Sequence, residues 1–316
     1  MSTRLVLISV LAVGCGADHS SADAHPPSTI PRDASGTFAV ASTLDFRVPP
    51  AAAAVIDMLV AATDGADDPS RYLVDRTIAA LPDGTIKTIA TGFAPLVAAY
   101  LNERLADVAP RFATGIASIS HGFARIATHI TTTESIAIDP YGRAVRSISG
   151  VRFDNGGAAA FAERGLPPST ASPTAVMDRF GTIVFSAHRL RLPYGTILGL
   201  GLDRSAIPAA VPGTSDLATA LVTLVDCAKL GDLAAEKVGL GSPTLYRAAC
   251  KAGMLAIASD VYAKLDTIDA TPLELDITGT ATGVDRDGNG TMDAIETGTW
   301  AGMPLDAATF TGQREQ

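Results

Sequence analysis

An α+β protein, in which an antiparallel β-sheet packs with several amphipathic helices, is the architecture that three features of this sequence predict. Phe112, Ile116, Ile119, Phe123, Ile126 and Ile130 recur at alternating spacings of four and three residues, the period of one helix face. Thr182 to Leu192 and Leu273 to Thr282 alternate instead, with the period of two that marks a strand. Between them, Ser215 to Asp266 carries two helical stripes separated by the breaker Gly239-Leu240-Gly241-Ser242-Pro243, which predicts a helical hairpin.

The elements are taken in chain order. Phe38, Val40, Leu44 and Phe46 predict a first strand ending at Pro49-Pro50, and Ala51 to Ala62 a short helix. Asp67-Asp68 caps a helix opening at Pro69 and running to the turn Pro82-Asp83-Gly84. A further helix is expected from Pro95 to Val108, closed by Pro110, and then the Phe112 to Ile130 seam. Strands are expected at Glu134 to Asp139, Ala144 to Phe153 and Thr182 to Leu192. In the last, Val184, Ser186, His188, Leu190 and Leu192 share one face, with Ile183, Phe185 and Ala187 on the other. After the helical hairpin, Leu273 to Thr282, Thr297 to Gly302 and Ala307 to Gly312 read as strands.

Composition narrows the function. Of 316 residues 47% are hydrophobic and 18% charged, enough to bury a sizeable core. Aromatics are only 5% and Trp300 is the single tryptophan, so that core must be built mainly from Val, Ile, Leu and Ala. A net charge of -9 without a basic run excludes a nucleic-acid binder, which needs clustered cations to neutralise phosphates. The sequence has no G-x-S-x-G elbow, H-E-x-x-H pair or phosphate-cradling P-loop. Ser186 and His188, as i and i+2 neighbours, lie roughly 7 Å apart along a strand, too far for a nucleophile and its base. His121 and His129 project about 80° apart on a helix and do not converge on a metal.

At the N-terminus Arg4 precedes the apolar run Leu5 to Val13 and then Gly14-Cys15, the layout of a secretory signal too short to span a bilayer. Ala12-Val13-Gly14-Cys15 resembles the lipobox of bacterial lipoproteins, with Ala where that family usually has Leu. The resemblance implies cleavage before Cys15, lipidation of Cys15 and attachment to the inner or outer membrane of the cell envelope. A non-lipidated signal peptide is the alternative. The next stretch, rich in Ala, Asp, Ser, His and Pro and including His19 and His25, reads as a tether. With Cys15 lipidated, Cys227 and Cys250 remain as a pair able to clamp the hairpin; two buried reduced thiols are the alternative.

The sharpest chemical signal is Asp285-Arg286-Asp287-Gly288-Asn289-Gly290-Thr291-Met292-Asp293-Ala294-Ile295-Glu296. Side-chain oxygens fall at positions 1, 3, 5, 9 and 12, glycine at 6, and Thr291 at 7 would offer its carbonyl. Ca²⁺ takes six to eight hard oxygen ligands, and a short loop supplies them only by turning sharply. The stretch resembles the EF-hand, and the EF-hand-like loops of extracellular dockerin and thrombospondin type 3 modules. The resemblance implies Ca²⁺ bound by Asp285, Asp287, Asn289, Thr291, Asp293 and Glu296. Strand-like flanks and a solitary loop imply a structural ion rather than a sensor. The alternative is an Asp-Gly and Asn-Gly turn without an ion.

The chain thus divides into a signal peptide (1–14), a flexible tether (15–36), an α+β domain (37–212), the helical hairpin (213–268) and a C-terminal β segment with the calcium loop (269–316). The expected function is that of a membrane-anchored envelope lipoprotein with one structural Ca²⁺ and a binding or structural role. An envelope protein enclosing an apolar ligand such as a lipid is one alternative, and an exported hydrolase is the lesser one.

Overall fold

The computed structural model describes residues 30–61, 69–239 and 241–315. The signal peptide, Cys15, the tether before Ile30 and the Asp67-Asp68 cap lie outside the described residues. The architecture is the expected α+β, with ten strands in one antiparallel sheet.

Strand β1 (Gly36–Phe46) pairs with β2 (His129–Ile138), and β2 with β3 (Ala144–Arg152). Then come the short β4 (Ala158–Ala160), β5 (Ser169–Ala171) and β6 (Ala175–Met177), and the longer β7 (Thr182–Leu192). β8 (Leu273–Val284), β9 (Ala294–Met303) and β10 (Leu305–Arg314) form a meander, and β10 returns to pair with β1. β5 pairs with β3 while β6, a few residues on, pairs with β7. Thr174 between them bridges to Arg143 on one side, and its carbonyl accepts from Ser186 N at 2.9 Å on the other. The sheet therefore closes on itself as an up-and-down barrel, a solution that removes exposed strand edges.

Both helical insertions leave the same end of the barrel. After β1 come α1 (Pro50–Ala61), α2 (Pro69–Ala79), α3 (Thr85–Val108) and α4 (Phe112–Thr128). After β7 come α5 (Tyr194–Gly201), a π-helical turn (Leu202–Ala206), α6 (Ile207–Ala210), α7 (Leu217–Leu224), α8 (Cys227–Val238) and α9 (Pro243–Asp269). The opposite end carries the β2–β3 turn, the β6–β7 turn and the 285–293 loop.

Alternation along each strand turns one face inward. In β1 the buried residues are Phe38, Val40, Ser42, Leu44 and Phe46; in β2 they are Ile130, Thr132, Glu134, Ile136 and Ile138. At mid-height this pattern buries an ion pair: Arg146 donates to Glu134 through Nε at 2.6 Å and through Nη2 at 3.0 Å, with both side chains fully buried. Thr132 Oγ1 donates to Glu134 as well. The Arg146 guanidinium stacks over Trp300 at 3.9 Å, and Trp300 stacks on Phe310 with centroids 4.1 Å apart. Rings of this size fit only because the neighbouring strands carry glycine. A Cβ at Gly279 would lie 2.2 Å from the Trp300 ring, and one at Gly298 would lie 2.5 Å from Phe310.

Four expectations shift. α3 begins at Thr85 rather than at Pro95, because Ile86, Ile89 and Ala90 pack with Tyr246, Ala234 and Val238, and that burial extends the helix ahead of its proline. The α4 seam is buried from Phe112 to Ile126 as expected, but Ile130 belongs to β2, whose inward parity it shares. On β7 the buried set is Ile183, Phe185, His188, Leu190 and Leu192, because a register shift between Phe185 and His188 moves the inward face across the strand. The first arm of the helical hairpin breaks at Val225-Asp226, where Asp226 caps α8 by accepting from Ala228 N and Lys229 N.

Cys227 in the first turn of α8 and Cys250 in α9 form a disulfide with Cα atoms 5.6 Å apart. A closed loop of 23 residues' separation contributes about 3 kcal/mol in the chain-entropy account. Cys227→Ala with Cys250→Ala should lower the unfolding free energy by about that amount in denaturant titration. Glu134→Gln should cost about 3 to 5 kcal/mol by leaving Arg146 buried without its counter-charge, and joint replacement of Glu134 and Arg146 by Met should recover most of the loss. Equal losses in the single and double variants would show that the pair does not act as a unit.

Candidate metal centre

The 285–293 loop joins β8 to β9 at the end of the barrel away from the helices. Gly288 and Gly290 have φ of 75° and 88°, left-handed values that glycine accepts without strain, and these two residues turn the chain. The acidic side chains then fold back onto the loop's own amides. Asp285, 1% exposed, accepts from Gly288 N and Gly290 N, both at 2.8 Å. Asp287 accepts from Asn289 N at 3.0 Å, and Asp293 from Arg286 N at 2.8 Å. One oxygen each from Asp285, Asp287 and Asp293 lies within 4.8 Å of the others.

The six residues expected to hold calcium divide accordingly. Asp285, Asp287 and Asp293 converge. Asn289 lies beside them, its Nδ2 donating to Asp287 at 2.9 Å while its Oδ1 accepts from Thr291 N at 2.7 Å. Glu296 is carried off along β9, where Arg286 Nη2 approaches its carboxylate at 3.3 Å. The cause is the exit geometry: a strand rises roughly 3.3 Å per residue, so three residues past Asp293 put the side chain roughly 10 Å along, whereas a helical exit would bring it back over the loop.

Neighbouring segments brace the loop. Arg32 N and Asp33 N both donate to the Gly290 carbonyl, and Met292 N donates to Asp33 O at 2.8 Å. From β10, Arg314 donates through Nε to Met292 O and through Nη2 to Ser35 O, both at 2.6 Å. The donor set suits a hard divalent cation, since three carboxylate oxygens already fixed by main-chain N–H groups need little rearrangement to bind one.

A second cluster, inside the barrel, corresponds to no motif in the sequence. Besides its bonds to Glu134, Arg146 places Nη1 3.4 Å from His188 Nε2, while His188 Nδ1 lies 2.9 Å from the Ser186 carbonyl. Burial, with the Arg146 charge adding to it, holds His188 below the ordinary imidazole range. Ser186 Oγ accepts from Thr174 N instead of facing this ring. Its only sequence signal is parity: Thr132 and Glu134 share the inward register of Ile130 and Ile136. Of the remaining histidines, His121 is exposed on α4, and His129 opens β2 with Nδ1 2.6 Å from Asp45. Among the described residues no histidine ring is bonded to a hydroxyl, and no helix is long and apolar enough to cross a membrane.

Fold and loop together define a helix-capped, up-and-down β-barrel with a triad of aspartates at the end away from the helices. No family model matches the chain, and no curated protein or solved structure resembles it significantly.

Asp285→Ala should cost about 1 to 3 kcal/mol even in chelator, because Gly288 N and Gly290 N lose a buried acceptor. Glu296→Gln should change stability by less than about 0.5 kcal/mol, since its partner is a half-exposed Arg286. Chemical denaturation of both variants in EDTA compares the two.

Proposed function

We propose that this chain is an exported lipoprotein of the cell envelope, anchored through Cys15, whose barrel is stapled at one end by a single structural Ca²⁺. The observation that carries the reading is the convergence of the Asp285, Asp287 and Asp293 carboxylates within a loop of calcium-binding spacing. Three carboxylates at this separation repel one another, and a divalent cation relieves that cost. Asp285, Asp287 and Asp293 would hold the ion, with Asn289 beside them and water completing the shell. The ion would supply charge neutralisation and rigidity, not a reaction.

The role is binding or structural. Among the described residues the α4 seam does not enclose a wholly apolar ligand such as a lipid: from Phe112 to Phe123 it is spent in the core, where Gly115 abuts Leu224 and Gly122 abuts Ala206. The mid-height of the barrel is filled by Arg146, Trp300 and Phe310. The hydrolase alternative is likewise without a hydroxyl bonded to a histidine among the described residues.

Calorimetric titration should show one Ca²⁺ per chain, with a dissociation constant on the order of 10⁻⁴ to 10⁻³ M as in extracellular modules. Asp285→Asn with Asp287→Asn should remove binding and Glu296→Gln should spare it; retained binding in the double variant would sink the site. Separately, Cys15→Ser should shift the protein from the membrane fraction to the soluble fraction of expressing cells. An unchanged distribution would overturn the anchor.

A further inference from the structure

At the helical end of the barrel lies a cleft of about 530 Å³ between α4, the ends of β2 and β3, and the π-helical turn. That size suits a small molecule. The floor is apolar, formed by Ile126, Phe153 and Ala206. The rim has the opposite character from the rest of the chain: His121, Arg125, His129 and Arg152 line it against one carboxylate, Asp154. In a protein with 33 acidic residues to 24 Lys and Arg, such a rim is a local reversal of charge.

Two of these groups are committed, since Arg125 pairs with Asp154 and His129 Nδ1 with Asp45. The Asp45 bond orients the His129 ring. His121 and Arg152 have no hydrogen-bond or ion-pair partner among the described residues. With Arg125 set against Asp154 and His129 against Asp45, the side chains of Arg152 and His121 are left facing the cleft, over an apolar floor, without a carboxylate of their own. One wall is the π-helical turn Leu202–Ala206, a geometry that recurs at functional sites. Asn155 Nδ2 holds this turn by donating to Arg204 O at 2.7 Å, and Ser205 of the same turn lines the cleft.

We propose that this cleft binds a small amphipathic oxyanion, a carboxylate or phosphate carried on a compact apolar body. Arg152 and His121 take the head group, and the body lies on Ile126 and Phe153. A planar guanidinium suits either oxyanion by forked hydrogen bonding, and the floor adds apolar burial that a free inorganic ion cannot use. The site is separate from the aspartate loop, which lies at the other end of the barrel.

The test titrates the full chain with phenyl phosphate, benzoate, inorganic phosphate and benzyl alcohol, each read by calorimetry. Phenyl phosphate or benzoate should saturate one site per chain, and the tighter of the two identifies the head group. Inorganic phosphate should bind at least tenfold more weakly, and benzyl alcohol should show no saturation. Arg152→Gln with His121→Gln should lower the affinity at least tenfold, and Ala209→Trp should fill the cleft and abolish binding. All three positions are exposed, so circular dichroism should show an intact fold. Failure of both acids to saturate, equal binding of benzyl alcohol, or undiminished affinity in the double and filling variants would each overturn the proposal.

Discussion

One strand changes partners at Pro173, and the closure of the barrel depends on that exchange. Residues 169–171 hydrogen-bond to β3 and residues 175–177 to β7, so a single segment serves as the last stave for both free edges. Proline has no amide hydrogen to satisfy, and its carbonyl accepts from Ala144 N at 2.9 Å, so the crossover leaves no donor stranded. Ala175 N still donates to Gly142 O at 2.7 Å on the β3 side, while Thr174 O already accepts from Ser186 N of β7 at 2.9 Å, so the segment is held from both sides where it changes partners. An open sheet of this length would expose two rows of unpaired amides, whereas the shared segment pairs part of each row.

Closure also decides what the interior must contain. A ring of about eight staves has a lumen that side chains fill, and here Trp300, Phe310 and Phe185 occupy it beside the Arg146–Glu134 pair. Removing a guanidinium from water is costly unless its charge and hydrogen bonds are met. Arg146 meets them with two bonds to Glu134, the face of Trp300 and the neighbouring His188 nitrogen. Such a pair adds little net stability over an apolar core, but it penalises alternative registers. Sliding β3 by one residue would turn Arg146 outward and leave Glu134 buried alone.

Long-period patterns are legible in the sequence, while closure is not. The α4 seam, the Ser242 cap with Pro243 at the start of α9, and the three C-terminal strands can each be read because periodicity and turn chemistry act locally. β5 and β6 hold three residues each, too few for alternation to register, although they join the edges of the sheet. The inward face of β7 departs from simple alternation at the register shift, because a bulge inserts one residue and strict alternation then assigns the neighbouring side chains to the wrong side. The Asp285 to Glu296 spacing singles out three carboxylates that do converge, and the strand-like flank at Thr297 to Gly302 is legible too. The consequence of that flank for ligand position 12 follows only when the rise of the strand is applied to Glu296, since a twelve-position count treats a helical and an extended exit alike.

The aspartate loop gains its reach from the segments it touches. It is stitched to residues 32–35 by main-chain bonds, and Arg314 at the end of β10 ties Met292 to Ser35. The segment leading into β1, the β8–β9 connection and the last strand therefore converge on one set of carboxylates. On the calcium reading, an ion at about ten times its dissociation constant would stabilise the folded state by about 1.4 kcal/mol through mass action. That is a small part of a domain's total stability, usually about 5 to 15 kcal/mol. It is nonetheless comparable to the free energy of local fraying at a chain terminus. The staple would thus act where the chain enters the barrel, keeping residues 32–35 docked, while the remainder of the fold stands on strand closure and the buried core.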